Sequence, residues 1–145
     1  MAAHSAEALL RLPVRLRGVD LGRAVDLILD PEGRRAIGID VLYKDDGHRF
    51  LPLSAAQIDA DHIAVASALV LLAADELAFY RKRASTMRLL RGAPVRRDGR
   101  EVGRLRDVLV GSGGAVEHLV TEDGRRITFG EDVRITAEPR SVDAA

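Results

Sequence analysis

The sequence predicts a mainly β protein: two copies of one antiparallel meander, related by internal repeat and joined by one α-helix. Three observations predict it. The phrase "LGRAVDLILDPEGR" (21–34) returns as "VGRLRDVLVGSGG" (102–114), each with an apolar residue, Gly, Arg, two residues, Asp, an apolar run and a turn. Within each phrase the apolar residues follow the two-residue period of a strand with one buried face. Between the copies the period changes to that of a helix.

The first copy starts near Leu16. Leu21, Val25, Leu27 and Leu29 carry the strand period. Pro31 and Gly33 then supply the fixed and the permissive φ of a tight turn. "RAIGIDVLY" resumes a strand, "KDDGHR" (44–49) turns, and "FLPL" (50–53) returns, with Pro52 marking an edge or a strand end. The connector places Val70, Ala73, Leu77 and Tyr80 on one helical face, widened by Leu69, Leu72 and Phe79. No Gly or Pro interrupts it before Gly92, so a helix is expected from about residue 69 to 85. Its apolar face is expected to pack on one or both copies, with a second chain, hence a homodimer, as the next candidate.

The second copy starts near Leu90 with a hairpin around Asp98-Gly99. "GSGG" (111–114) takes the place of "DPEG", and Asp123-Gly124 makes the next turn. Gly22 matches Gly103, Arg23 matches Arg104 and Asp26 matches Asp107. Leu16 and Gly18 are aligned with Leu90 and Gly92, which gives the first copy a shortened opening hairpin. The tails, 1–7 and 139–145, are small and polar and read as frayed.

Composition bounds the rest. At 145 residues, 47% hydrophobic and 30% charged, the chain can bury an ordinary core. Twenty-two basic residues balance 22 acidic ones, so no global field recruits nucleic acid or an anionic membrane. The absence of cysteine excludes disulfides and thiolate chemistry and suits a cytoplasmic setting. Aromatics are 3%, so the core must be built from Val, Leu, Ile and Ala. The N-terminus lacks signal-peptide features. The longest apolar run, 63–74, falls short of the roughly 20 residues a membrane span needs.

"LRGAPVRRDGREVGRLRDVLVGSGGAVEHLV" (90–120) resembles the PRC-barrel family: a Gly-x-x-Val start, an Asp-Gly hairpin, a Gly-Arg-Leu-x-Asp strand, a turn and an apolar strand. The stretch 16–58 looks like a second member. The resemblance implies two small antiparallel PRC-type β-barrels, at 14–67 and 89–138, joined by a connector helix at 68–88. It implies a family used for protein contacts, as in the cytoplasmic domain of the photosynthetic reaction-centre H subunit and the C-terminal part of a ribosome maturation factor. That family has no shared catalytic residues. The chain carries neither the membrane helix of the first nor the other domain of the second, so neither specific role transfers.

The chemistry-bearing residues give little else. Arg23 and Asp26, like Arg104 and Asp107, are three apart and on a regular strand point to opposite faces. Each Asp is expected to face solvent or tie down a neighbouring turn, and Gly22 and Gly103 to mark a bulge or a close backbone approach. His4, His48, His62 and His118 share no metal-ligand spacing, and "DADH" (59–62) reads as a turn. "GSGG" lacks the helix and Lys-Ser/Thr of a phosphate loop, and Ser112 lacks the nucleophile frame. No catalytic, cofactor or metal residue is therefore assigned. The uneven charge lies in Arg81, Lys82 and Arg83, followed by Arg88, Arg91, Arg96 and Arg97. It reads as a cationic helix end with solvated arginines. As a site, Arg81, Lys82, Arg83, Arg96 and Arg97 would meet an acidic protein surface or RNA. The expected function is a non-enzymatic protein-interaction module. The alternatives are a ribosome- or RNA-associated module using residues 81–97, and a small-ligand binder or enzyme with a pocket between the copies.

Overall fold

The computed structural model describes residues 4–72 and 74–136, the side chains of 74–76, 81 and 112 apart. The chain is mainly β, with 52% strand against 17% helix, in two antiparallel-rich sheets. The first half runs β1 (His4–Ser5), α1 (Ala6–Leu9), β2 (Pro13–Leu16), β3 (Val19–Leu29), β4 (Ala36–Tyr43), β5 (His48–Pro52), β6 (Gln57–Ile58) and β7 (Ile63–Ala64). After α2 (Ala74–Arg83) come β8 (Ser85–Thr86), α3 (Met87–Leu90), β9 (Pro94–Arg97), β10 (Arg100–Val110), β11 (Val116–Thr121), β12 (Arg126–Thr128) and β13 (Val133–Ile135). One sheet has the order β5-β4-β3-β2-β7-β6 and the other β12-β11-β10-β9-β13. Among the described residues no ladder joins the two edges of either sheet.

The two halves keep one schedule, 81 residues apart, from β1 through β3 and from β8 through β10. The opening hairpin is included. Arg17 and Gly18 (φ 51° and 81°) turn β2 into β3 just as Asp98 and Gly99 (φ 52° and 81°) turn β9 into β10. Both residues of each pair have the positive φ of a type I′ turn. The shortened hairpin expected for the first copy is therefore corrected: Gly18 corresponds to Gly99, not Gly92. An Arg at a left-handed position hid the turn.

The expectation of frayed residues 1–7 is corrected for 4–7. β1 pairs with β10 through His4↔Val110 and Ser5↔Leu109, in the other half of the chain. β8 does the same to β3 through Leu29↔Ser85 and Ile28↔Thr86. Each half thus lends its first residues to the other half's long strand. Residues 137–145 lie outside those described.

The bulges also coincide. β3 carries an extra residue at Val25, between the pairs Ala24↔Val41 and Asp26↔Asp40. β10 carries one at Arg106, between Leu105↔Thr121 and Asp107↔Val120. An inserted residue resets the alternation of faces. Ala24, Leu27 and Leu29, and equally Leu105, Val108 and Val110, accordingly share the main core. Arg23 and Asp26 come onto one face, as do Arg104 and Asp107, which corrects the opposite-face reading. Gly22 and Gly103 stand at an earlier bulge in the same strands. A Cβ on Gly22 would run into the Leu42 carbonyl, and one on Gly103 would sit 2.8 Å from Thr121 Cγ2.

One buried cluster spans both sheets, with Leu27, Ile39 and Leu51 from the first, Val95, Leu105 and Leu119 from the second, and Met87 and Leu90 from α3. It is nearly all aliphatic, as the shortage of aromatics requires. The connector departs from the single long helix expected. Ser67 caps a 3-10 turn at Ala68–Val70, and Leu72 then exchanges two backbone hydrogen bonds with Phe50. That extended pairing delays the helix to α2. Leu77 and Tyr80 pack over Ile28 and Phe50, with the Tyr80 and Phe50 rings stacked at 4.4 Å. Phe79 is half exposed and Leu69 is 88% exposed, so the expected wide stripe is split. Ala73 lies outside the described residues.

Arg17→Asn should raise stability by about 0.5–1 kcal/mol, because Asn tolerates the left-handed conformation that Arg resists. Chemical denaturation would show the gain as a higher midpoint with unchanged slope. Loss of stability would mean that the Arg17 side chain holds the turn.

Candidate functional site

The site begins with two buried carboxylates. Asp107 Oδ1 accepts the N–H of Val108 at 2.8 Å and of Glu7 at 3.0 Å, and its Oδ2 accepts the Ser5 hydroxyl. Ser5 Oγ in turn accepts the Ala8 N–H and caps α1. In the other half Asp26 Oδ1 accepts the N–H of Leu27 at 2.9 Å and of Arg88 at 3.1 Å, with the Thr86 hydroxyl also bonded to its carboxyl. Thr86 Oγ1 accepts the Leu89 N–H and caps α3. Each Asp therefore ties down a helical turn, as the sequence allowed, but a turn from about 60 to 100 residues away. Neither faces open solvent: Asp26 is 6% and Asp107 7% exposed.

Where α1 and α3 face each other a cleft of about 430 Å³ opens, with Val25 and Asp26 from β3 and Arg106 from β10 on its walls. Glu7, Leu10 and Arg11 come from one turn, Arg88 and Arg91 from the other. Arg11 is committed to Glu7 at 3.2 Å. A second cleft of about 590 Å³ shares Val25, Asp26 and Arg88 and adds Asp40, His48 and Lys82. There the His48 Nδ1 lies 2.7 Å from Asp40 Oδ1, with Asp40 buried and the imidazole partly open. Asp40 stands directly opposite Asp26 across the β3–β4 ladder. Two carboxylates, an imidazole, an ammonium group and the guanidinium groups of Arg23 and Arg88 thus line one space. This cleft is able to hold a small polar ligand and to move a proton at His48.

The five residues singled out from the sequence are not gathered into one site. Lys82 lines the second cleft. The Arg83 guanidinium lies 4.3 Å above the Phe79 ring. Arg96 belongs to β9 and lines a separate hollow with Asp98, Glu131 and Asp132, the last within 3.9 Å of Arg97. The Arg81 side chain lies outside the described ones. Arg88 and Arg91, grouped with the stretch but not selected, are the members that face the junction. Arg106 was missed altogether. Its one signal in the sequence was its place directly before a repeated Asp. His118 sits on β11, its Nδ1 buried with no hydrogen-bond partner among the described residues. "GSGG" is a strand turn as expected, with a 3-10 turn at Ser112–Gly114.

Burial raises the Asp26 pKa above the ordinary carboxylate value, against the hydrogen bonds from Arg88, Leu27 and Thr86 and the charge of Arg88, which lower it. The native state then holds the proton to higher pH than the unfolded chain. Stability contributed by protonated Asp26 is present at low pH and falls as pH rises from about 3.9 through the raised native value. Asp26→Asn should flatten that part of the pH–stability curve while keeping a carbonyl acceptor; an unchanged slope from urea titrations between pH 4 and 7 would refute it. Asp107→Ala should cost about 1–3 kcal/mol by stripping the Glu7 and Val108 N–H groups and the Ser5 hydroxyl of their acceptor. Hydrogen exchange should then accelerate over residues 5–10 first, and unchanged protection there would contradict the capping role.

No family model and no curated protein matches this sequence.

Proposed function

We propose that the chain is a tandem pair of PRC-type barrel units acting without catalysis as a cytoplasmic protein-interaction or assembly module. The carrying observation is the reciprocal exchange of β1–α1 and β8–α3, which builds surfaces that neither half presents alone. The 81-residue schedule, the coincident bulges and the matching type I′ turns support a duplicated unit. Val116 N–H donates to the Arg34 carbonyl and Arg35 bridges Ala115, a pairing that maps onto itself under the same shift. That is what a two-fold relation between units requires. On this reading each unit starts at Ser5 or Thr86, ahead of residues 14 and 89, and the segment 68–88 braces the first unit through Leu77 and Tyr80. Leu89, 46% exposed beside the junction, is the apolar contact a partner would cover.

A photo-reactive residue at position 89 should trap a partner in extracts of the native host, and one at the exposed β11–β12 turn, position 122, should not. Equal trapping from both positions, or none from either, would end the proposal.

The second cleft favours one other reading, a small-ligand binder or enzyme using Asp26, Asp40 and His48. A metabolite that raises the melting temperature of the wild-type chain but not of His48→Ala would bring that reading forward.

A further inference from the structure

We infer that the junction cleft is an anion-binding site, and that its occupant is a carboxylate-rich segment of a partner protein with an apolar residue among its acids. This deepens the interaction reading and rests on it. The chain as a whole is neutral, yet Arg88, Arg91 and Arg106 converge on the cleft from α3, the residue after it and the β10 bulge. The positions 81 residues earlier are Glu7, Leu10 and Val25, so one half supplies three cations where the other supplies an acid and two apolar groups.

The carboxylates present do not cancel that excess. Glu7 is held by Arg11. Asp26 is buried, its oxygens engaged by the Leu27 and Arg88 N–H groups and the Thr86 hydroxyl, and its charged form is disfavoured by burial. Guanidinium groups bind carboxylates through paired N–H donors, which suits an acidic side chain better than a diffuse field does. The volume, about 430 Å³, lies at the lower end of the 300–1,000 Å³ range of ligand pockets. Leu10 and Val25 give it an apolar floor, and Leu89 lies in the adjoining cleft. No aromatic side chain lines it, so a nucleobase would find guanidinium planes but no ring to stack on.

The test uses the intact chain and a fluorescein-labelled hexapeptide of four Glu and two Leu, read by anisotropy. A single-stranded RNA hexamer and the peptide with Lys for Glu serve as competitors. The acidic peptide should bind, and Arg88→Ala, Arg91→Ala and Arg106→Ala together should weaken it by about tenfold or more. Arg96→Ala with Arg97→Ala should leave it unchanged. Glu7→Gln, which removes the acid that pairs with Arg11 on the cleft wall, should tighten binding by about threefold, a gain that misfolding cannot imitate. Tighter binding of the RNA, no peptide binding, or equal loss from the Arg96/Arg97 pair would overturn the inference. The two levels separate in a capture experiment. If the triple variant traps the same protein at position 89 as the wild type, the module stands and the anion site falls. If the peptide binds but no protein is trapped, the site stands and the module falls.

Discussion

The structure depends on two buried carboxylates that find their donors in the opposite half of the chain. A buried acceptor without a donor costs roughly 1–3 kcal/mol, and a helix start without a cap leaves orphan N–H groups as well. Asp107 and the Ser5–Glu7 turn resolve both problems together, as do Asp26 and the Thr86–Arg88 turn. Separating the halves would expose all four unsatisfied partners at once. Against a typical total of about 5–15 kcal/mol, that is enough to make the two halves one folding unit. The aliphatic cluster running through both sheets makes the same coupling without direction. The carboxylates add the register.

The bulges explain how one strand serves two layers. Without the bulge, with Val25 paired in regular alternation, Asp26 and Leu27 would exchange faces, and a carboxylate would enter the aliphatic core while a leucine met the α3 backbone. With it, Leu27 points inward and Asp26 meets the α3 N–H groups. Arg106 performs the same service in β10. The extra residue itself has no partner on the ladder and turns toward the cleft. A device required for folding therefore also creates an unconstrained position at the site.

Much of this was legible in the residues. The meander, the Asp-Gly hairpin, the Gly33 and Gly114 turns and the aliphatic core follow from period and turn chemistry. The opening hairpin of the first half was not, because Arg17 is a poor left-handed residue and carries no turn signal. The bulge at Gly22 and Gly103 was anticipated, but those at Val25 and Arg106 were invisible, since a strict two-residue period assigns Val25 to the core face and separates Arg23 from Asp26. Good local propensity makes the connector look like one helix. Leu72 goes instead to the free edge of β5, a long-range hydrogen-bonding choice that no local pattern records. The cleft was half legible: Arg88 and Arg91 stood within the basic stretch, but proximity in sequence grouped them with Arg96 and Arg97, which the fold sends to another hollow.

The 81-residue shift also separates what folding requires from what it leaves open. Where backbone conformation or capping is at stake, the two halves carry the same or equivalent residues at most positions, the turn pair Arg17 and Asp98 apart: Ser5 and Thr86, Pro13 and Pro94, Gly22 and Gly103, Asp26 and Asp107. At 7 and 88, 10 and 91, and 25 and 106 the backbone plays the same part, yet the side chains differ in charge or polarity. Glu7 meets its buried carboxylate through the main-chain N–H, and Arg88 does so with its charge as a lesser contribution, so the fold asks little of what projects beyond. Drift at such positions would scatter charges of either sign. Here all three in the second half are arginine, all three open on one concavity, and the acid opposite is already neutralised by Arg11. Such a bias, concentrated where the fold asks little, is what the proposed acidic occupant of the cleft would favour.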